Sequence, residues 1–466
     1  MKTIVSVILA AGQGKRMKST LPKVLHPVAG KPMIFYSLAL AKSLGINKRI
    51  IVLGHQLENI KETVDSIDQE VHLVPQKNQL GTAQAMQEVV PYLTDFSGTI
   101  LILSADVPLL SATTVKRIID YHQKERVAGT ILTAKLANPA GYGRIIRDGV
   151  GKIAEIVEQA DLTEEQQNID EINSGIYCFH SKELFQALAL VKKNNRQKEY
   201  YLTDVIKILL KKGYTIGSIT IDDPTEIIGI NDQKTLSQVS QIIYERNALR
   251  HMEEGVTIVS PGNSFIEEQV EIGKGTIIYP FTVITSGSRI GQGCRIGPYA
   301  HIVESNIGNE TVIFSSQVEK SRIGNNTVIG PFAHLRPDNI IGDKVKIGNY
   351  VEVKKTIIGQ GTKVGHLAYL GDAILGKKVN IGAGAITCNF DGIRKNQTTV
   401  EDGAFIGTNN SLVAPVVIGK DAYTAAGSTI TENVPAGSLG IARARQQNII
   451  DWVAKKKKQH EEVDKK

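Results

Sequence analysis

The stretch EIGKGTIIYPFTVITSGSRIGQGCRIGPYAHI, residues Glu271 to Ile302, runs on a six-residue frame. Isoleucine returns at Ile272, Ile278, Ile284, Ile290, Ile296 and Ile302. The frame resumes at Ile323, Ile329, Leu335, Ile341, Ile347 and Val353, and again at Val400, Ile406, Leu412 and Ile418, with Thr424 and Ile430 in step. Glycine follows many of these positions: Gly273, Gly291, Gly297, Gly324, Gly330, Gly342, Gly348, Gly407 and Gly419. An α-helix repeats every ~3.6 residues and a strand every ~2, so neither gives a period of six. A parallel β-helix does. Each hexad forms one wall of a triangular coil, its aliphatic side chain points inward, and about 18 residues close the coil. Glycine is expected at the corners, where other residues meet a steric cost. Residues 253 to 440 then make roughly ten coils.

The frame slips by five between Ile302 and Ile307 and between Val353 and Ile358. Its largest break lies between Ile381 and Val400, where Thr387-Cys-Asn-Phe-Asp-Gly-Ile-Arg-Lys is expected to leave the walls as a loop. A loop ejected from a solenoid costs little in folding and is a natural place for function.

Upstream the pattern is different. Ile4–Leu9, Arg49–Leu53 and Thr99–Leu103 are short apolar runs of the kind that buried parallel strands require. Met33–Leu44 and Ala83–Leu93 carry helical spacing between them. This alternation predicts an α/β domain, a mostly parallel nucleotide-binding (Rossmann-like) sheet that binds ligands beyond the carboxyl ends of its strands. Leu236, Val239, Ile242, Ile243 and Leu249 are expected on one face of a helix over 232–252. The expected organisation is a first domain at 1–231, a linker helix at 232–252, a β-helix at 253–445 and a charged tail at 446–466. Solvation and fraying are expected at Lys455 to Lys466.

Composition narrows the function classes. The 466 residues carry 54 basic and 47 acidic side chains, a net charge of +7. Three of those seven charges come from the tail at Lys455 to Lys466. The rest is too dilute for a nucleic-acid footprint, so no nucleic-acid partner is expected. Cys178, Cys294 and Cys388 lie far apart and show neither zinc nor disulfide spacing. No apolar run reaches the ~20 residues of a membrane span. Lys2 followed by Ile4–Leu9 mimics a short signal peptide, but the glycine-rich Gly12-Gln-Gly-Lys-Arg-Met that follows favours a strand entering a loop. A cytoplasmic protein is expected.

Leu9-Ala-Ala-Gly-Gln-Gly-Lys-Arg-Met, followed by Leu21-Pro-Lys-Val-Leu, lies directly after the first apolar run. Ala10, Ala11 and Gly12 are small enough for the backbone to approach a base or a phosphate, and Arg16 and Lys23 bring positive charge for a polyphosphate. Met17 stands where a dinucleotide fingerprint needs its third glycine, and there is no P-loop.

This string resembles the sugar-1-phosphate nucleotidyltransferases. Joined to a hexapeptide β-helix, it is similar to the family of bacterial bifunctional enzymes that combine N-acetylglucosamine-1-phosphate uridylyltransferase with glucosamine-1-phosphate acetyltransferase. The resemblance spans residues 3–445 and implies a left-handed β-helix. It implies that Leu9, Ala10, Ala11, Gly12, Lys23, Gln76, Gly81, Thr82, Gly143, Glu158, Asn173 and Asn231 contact UTP or the UDP-sugar. Gln76 is expected to offer uracil both a donor and an acceptor. Asp106 and Asn231 are implied as ligands of Mg²⁺, with Arg16 and Lys23 offsetting phosphate charge. Ala105 and Ala83-Gln84 depart from the family's usual residues.

In the β-helix the resemblance implies acetyl transfer from acetyl-CoA. His366 would be the general base, since histidine exchanges protons near neutral pH. Glu352 would orient the imidazole. Arg336, Lys354, Tyr369 and Asn380 would hold glucosamine-1-phosphate. Ala383, Asn389, Phe390, Thr408, Ala426 and Arg443 would contact the coenzyme. Phe390 and Thr408 replace a usual tyrosine and serine. The resemblance further implies a homotrimer and a role in supplying peptidoglycan and lipopolysaccharide precursors. The alternative is a monofunctional nucleotidyltransferase with a regulatory β-helix; it leaves His366, Asn389 and Arg443 without a purpose.

Overall fold

Apolar runs that are buried on both faces become the central strands of the first unit. In the computed structural model, which describes residues 3–54 and 57–463, Ile4–Ala10 pairs in parallel with Lys48–Leu53 on one side and Thr99–Ser104 on the other. In space the strands run Ile216–Thr220, Gly129–Lys135, Glu171–His180, Thr99–Ser104, Ile4–Ala10, Lys48–Leu53, Val71–Pro75. Glu171–His180 alone among these is antiparallel to its neighbours. An antiparallel pair, Arg144–Arg147 and Ile153–Val157, hangs off it. Separate apolar cores, around Val7 and Phe179 on one face and Ile8 and Cys178 on the other, cover the two sides of the sheet. The helical spacing at Ala83–Leu93 resolves into a helix at Thr82–Val89 and a short 3-10 turn at Val90–Tyr92. Pro91, which has no N–H and crowds the preceding turn, ends the helix early.

The chain divides into two compact units, Met1–Ile243 and Tyr244–Lys466. The division falls inside the helix Gln233–Glu253, whose start is capped by Asp232 Oδ1 accepting from Thr235 N at 2.8 Å. Val239, Ile243 and Ala248 of this helix are buried, but Leu249 is 54% exposed. The expected common face is corrected there: Leu249 lies six residues beyond Ile243, far from the 3.6-residue repeat that Val239 and Ile243 follow.

From Thr257 onward the hexads form three parallel walls of 11, 10 and 9 strands, a left-handed parallel β-helix. Every aliphatic residue of the predicted frame is in one continuous buried core, and Thr424 is buried in step with it. The five-residue slips are absorbed at corners: Ile307 and Ile358 remain buried while Glu304 and Lys355 take φ of 45° and 47°.

The expected reason for the glycines holds at Gly297 and Gly330, which take φ of 89° and 105°, and changes at the others of the frame. Non-glycine residues occupy many left-handed corners, among them Lys320, Lys344 and Asp372. Gly273 instead faces the coil above, and a Cβ there would stand 2.7 Å from Gln292 N. Close stacking of coils, rather than a left-handed φ, excludes side chains at that position.

The long break is also narrower than expected. Thr387 and Cys388 belong to the strand Ile386–Cys388, and the wall resumes at Thr398–Val400, so the ejected loop is 389–397. The tail is a helix from Trp452 to Val463 rather than a frayed end. Lys2 and residues 464–466 lie outside the described residues. No helix among the described residues is long and apolar enough to cross a membrane.

Candidate functional sites

In the first unit the glycine-rich string follows the strand Ile4–Ala10 and turns at Gly14, whose φ is 62°. A Cβ on Gly14 would meet Lys23 Cβ at 2.8 Å, so glycine here lets Lys23 fold under the loop. The Lys23 ammonium donates to Asp106 Oδ2 at 2.6 Å and to Asn231 Oδ1 at 2.9 Å. Asp106 sits just beyond the carboxyl end of the central strand Thr99–Ser104, and Ile230 N binds Asp106 O at 2.8 Å, which fixes Asn231 beside it. Two hard oxygen donors thus converge on one point occupied by a cation. That donor set fits Mg²⁺, which keeps waters and substrate phosphates as its other ligands.

A cavity of about 510 Å³ opens over this point. Of the predicted residues, Leu9, Ala10, Ala11, Gly12, Lys23, Gln76, Gly81, Thr82, Asp106, Glu158 and Asn173 line it. Arg16 does not; its neighbour Lys15 does, while the exposed Arg16 lies near the Asp232 carboxylate and helps hold that group's pKa down, behind the Thr235 hydrogen bonds. Gly143 and Asn231 stand just outside, Gly143 packed on Glu158 and joined to Asn173 N at 2.9 Å through its carbonyl. Gly81 is held at φ 120°, and a Cβ would stand 2.5 Å from Tyr200 O, so no other residue fits at this entrance to the helix Thr82–Val89.

Burial pushes the Glu158 carboxyl above its ordinary pKa, against the pull of the Thr203 hydroxyl that donates to it at 3.0 Å. Tyr177 also lines the cavity and accepts from Asn173 Nδ2 at 2.7 Å. Gln76 is corrected in one respect. Its Nε2 donates to both Gly81 O and Gln84 Oε1, at 3.0 and 2.5 Å, so the side chain has only an acceptor left for a ligand.

In the second unit His366 ends the strand Lys363–His366 and is exposed. Its Nδ1 lies 2.6 Å from Asn349 Oδ1 in the coil below. An amide oxygen only accepts, so Nδ1 is the donor, and in the neutral imidazole the lone pair is then on Nε2. Glu352 does not orient this imidazole: its carboxylate is engaged by Arg336 Nη1 at 3.0 Å. The sequence expectation for Glu352 is corrected, because Glu352 lies in the neighbouring wall, in register with Tyr369 and past the corner that His366 enters. Coil arithmetic with the one-residue slip at Val353 finds Asn349, 17 residues before His366.

The corner at His366 and Leu367 continues upward rung by rung. Gly384 N binds Leu367 O, Asn409 N binds Ala383 O, and Gly427 N binds Thr408 O. Arg443 reaches the same column, its Cδ 3.7 Å from the point where a Gly427 Cβ would stand. Ala383, Thr408, Ala426 and Arg443 thus follow His366 along one edge.

Lys354 ends the strand Glu352–Lys354, in register with Gly371. Lys395 in the ejected loop, aided by Arg336, drives the Lys354 pKa down through like-charge contact. Sequence reading did not single out Lys395, although it lies within the predicted loop. Gly371 makes room there, since a Cβ would stand 2.7 Å from Asn389 Nδ2 and collide with the Tyr369 hydroxyl. Asn389 is buried and donates to Asp372 Oδ2 at 2.6 Å. Phe390 is exposed and bridges to Lys395 across the loop. Asn380 is not beside Tyr369; it lies in the wall of Lys363, in register with Lys363 and Phe405.

The chain resembles known proteins in both of its halves. A nucleotidyl transferase model matches residues 5–224, and a bacterial transferase hexapeptide model (six repeats) matches residues 269–304. A GMPPB C-terminal domain model matches residues 317–391. The chain is 48% identical over 447 residues to the bifunctional protein GlmU of Carboxydothermus hydrogenoformans, covering 96% of this chain and 99% of that one. It is 49% identical over 466 residues to the bifunctional protein GlmU of Thermosipho africanus, covering 100% of both. A third such protein, from a Geobacillus strain, is 49% identical over 96% of this chain and 97% of its own.

Proposed function

This chain belongs to the bifunctional GlmU family, enzymes that are both uridylyltransferases and acetyltransferases, and from that premise we propose how its residues divide the two reactions. The observation that carries the division is spatial. The Lys23–Asp106–Asn231 cluster lies wholly within Met1–Ile243, and the His366 edge wholly within Tyr244–Lys466.

In the second unit His366 Nε2 takes a proton from the ammonium of glucosamine-1-phosphate. The freed amine attacks the thioester carbonyl of acetyl-CoA, the C–N bond forms, and the C–S bond breaks, the second amine proton passing to the departing thiolate as coenzyme A leaves. Asn349 holds the tautomer that leaves Nε2 basic. Arg336, Lys354 and Lys395 receive the sugar phosphate, and relief of their mutual repulsion favours the anion. The coenzyme follows Ala383, Thr408, Ala426 and Arg443 upward from His366.

In the first unit a phosphate oxygen of N-acetylglucosamine-1-phosphate attacks the α-phosphorus of UTP, and pyrophosphate leaves. Asp106 and Asn231 would hold Mg²⁺, which supplies charge neutralisation for the phosphates when bound. Lys23, and Arg16 or Lys15 from the loop, offset the remaining charge. Glu158 and Asn173 contact the sugar, and Gln76 reads the base.

Stacked aromatic pairs at one corner, Phe281 on Tyr299 and Phe332 on Tyr350 with centroids 5.2 and 5.6 Å apart, stay exposed and support a homotrimer built through the β-helix. A cytoplasmic location and a part in making cell-wall precursors fit the nucleotide and thioester substrates. The test is one reaction containing glucosamine-1-phosphate, acetyl-CoA and UTP with Mg²⁺. Thiol release followed by pyrophosphate release is expected, and pyrophosphate release without acetyl-CoA overturns the order.

A further inference from the structure

Gln76 lies between the strand Val71–Pro75 and the helix Thr82–Val89, in the wall of the nucleotide cavity, and is 4% exposed. Gln84 is buried on that helix and donates from Nε2 to Glu88 Oε1 at 2.5 Å, one turn further on. Neither Gln84 nor Glu88 lines the cavity.

The three side chains form a polarity relay. An ionised carboxylate only accepts, so Glu88 turns the Gln84 NH₂ toward itself. Gln84 Oε1 must then face Gln76, and Gln76 must meet it with Nε2. Gly81 O makes the same demand on the second Nε2 hydrogen at 3.0 Å. Gln76 Oε1 has no hydrogen-bond partner among the described residues and is the only polar atom of that amide left for the cavity.

We infer that Gln84 and Glu88 are positioning residues that lock Gln76 with its acceptor outward and thereby select the nucleobase by the hydrogen on its ring nitrogen. This rests on the reading that the cavity takes UTP through Gln76. Uracil has a hydrogen on N3 and donates to the acceptor. Cytosine has a lone pair on N3, and two acceptors would face each other away from water, a costly arrangement. Thymine has the same edge as uracil, so the relay does not reject it.

The experiment measures kcat and KM of the full chain with UTP, CTP and dTTP, for the wild type and for Gln76→Leu, Glu88→Gln and Gln84→Met. Glu88→Gln is nearly isosteric, but its amide both donates and accepts, so Gln84 is no longer held one way and only Gly81 O still favours Nε2 inward at Gln76. Gln84→Met removes the acceptor that Gln76 meets. Each of these two variants is expected to lower the UTP-over-CTP ratio of kcat/KM on the order of ten-fold, the worth of about one hydrogen bond. The change should sit in KM for UTP, with kcat and the dTTP-to-UTP ratio held and acetyl transfer untouched. If Gln76→Leu loses the ratio while Glu88→Gln and Gln84→Met keep it, the relay is refuted and base reading by Gln76 stands. A fall in kcat with an unchanged ratio refutes it equally, since that marks a structural role. If Gln76→Leu keeps the ratio, base reading at Gln76 fails and takes the relay with it.

Discussion

Asn349 Oδ1 accepting from His366 Nδ1 makes Nε2 the basic nitrogen, and the consequences are measurable. His366→Ala is expected to cut acetyl transfer by ~10²–10⁴-fold, the usual worth of a positioned base, and mainly in kcat. Raising the pH should partly restore it, because free amine then forms without a base. An unchanged kcat at neutral pH would reduce His366 to a turn residue. Arg336→Ala should instead raise KM for glucosamine-1-phosphate. In the first unit Asp106→Ala removes one of the two oxygens on the Lys23 ammonium. Loss of Mg²⁺-dependent pyrophosphate release with acetylation intact is expected; wild-type uridylyl transfer in that variant would place the metal elsewhere.

The ejected loop at 389–397 owes its shape to Asp391. Its Oδ1 accepts from Ile393 N at 2.9 Å and Arg394 N at 2.8 Å, and its Oδ2 accepts from Asn396 Nδ2 at 2.8 Å. These donors, Arg394 N first, hold the carboxyl down to about 2 from an ordinary 3.8. A depressed carboxylate contributes ordering that is complete above the ordinary value and is lost as pH falls through the depressed one. Measured against the intrinsic rate at each pH, amide exchange in the loop should therefore stay slow at neutral pH and become fast as pH drops below 3.8 toward about 2. Asp391→Ala should show the fast exchange at neutral pH, and Asp391→Asn, which keeps one acceptor, should fall between. Because the loop presents Lys395 to Lys354, Asp391→Ala should also raise KM for glucosamine-1-phosphate with kcat little changed. Equal KM in the two chains would detach the loop from phosphate binding.

At the scale of the whole chain the two units are expected to act separately. A fragment of residues 1–243, ending where the compact unit ends, should keep uridylyl transfer and lose acetyl transfer entirely. Acetylation persisting in that fragment would overturn the assignment of His366. A β-helix is bonded coil to coil, so damage should stay local in the second unit. Ile347→Ala should cost roughly 2–5 kcal/mol in the coils around it. Thermal unfolding of the first unit should not move with it.

The architecture is legible in the spacing of the aliphatic residues. A frame of six has one physical solution, and the inward positions from Ile272 to Ile430 are buried as that solution requires. The sequence also picks out one wall of the nucleotide cavity, because Leu9 to Gly12 and Lys23 are close in the chain and small or charged, whereas Gln76, Glu158 and Asn173 are implied only by the family resemblance. Which polar side chain meets which is visible in the folded chain alone. Glu352 sits two residues from Lys354 in the chain and near His366 in sequence logic, yet the wall turns it toward Arg336 and leaves His366 to Asn349. Gln76 as a residue type offers a donor and an acceptor, and its donors are already spent on Gly81 and Gln84. Hydrophobic burial repeats and can be read from a period. A hydrogen bond depends on direction over a few ångströms between residues that only the fold brings together, and no spacing along the chain records it.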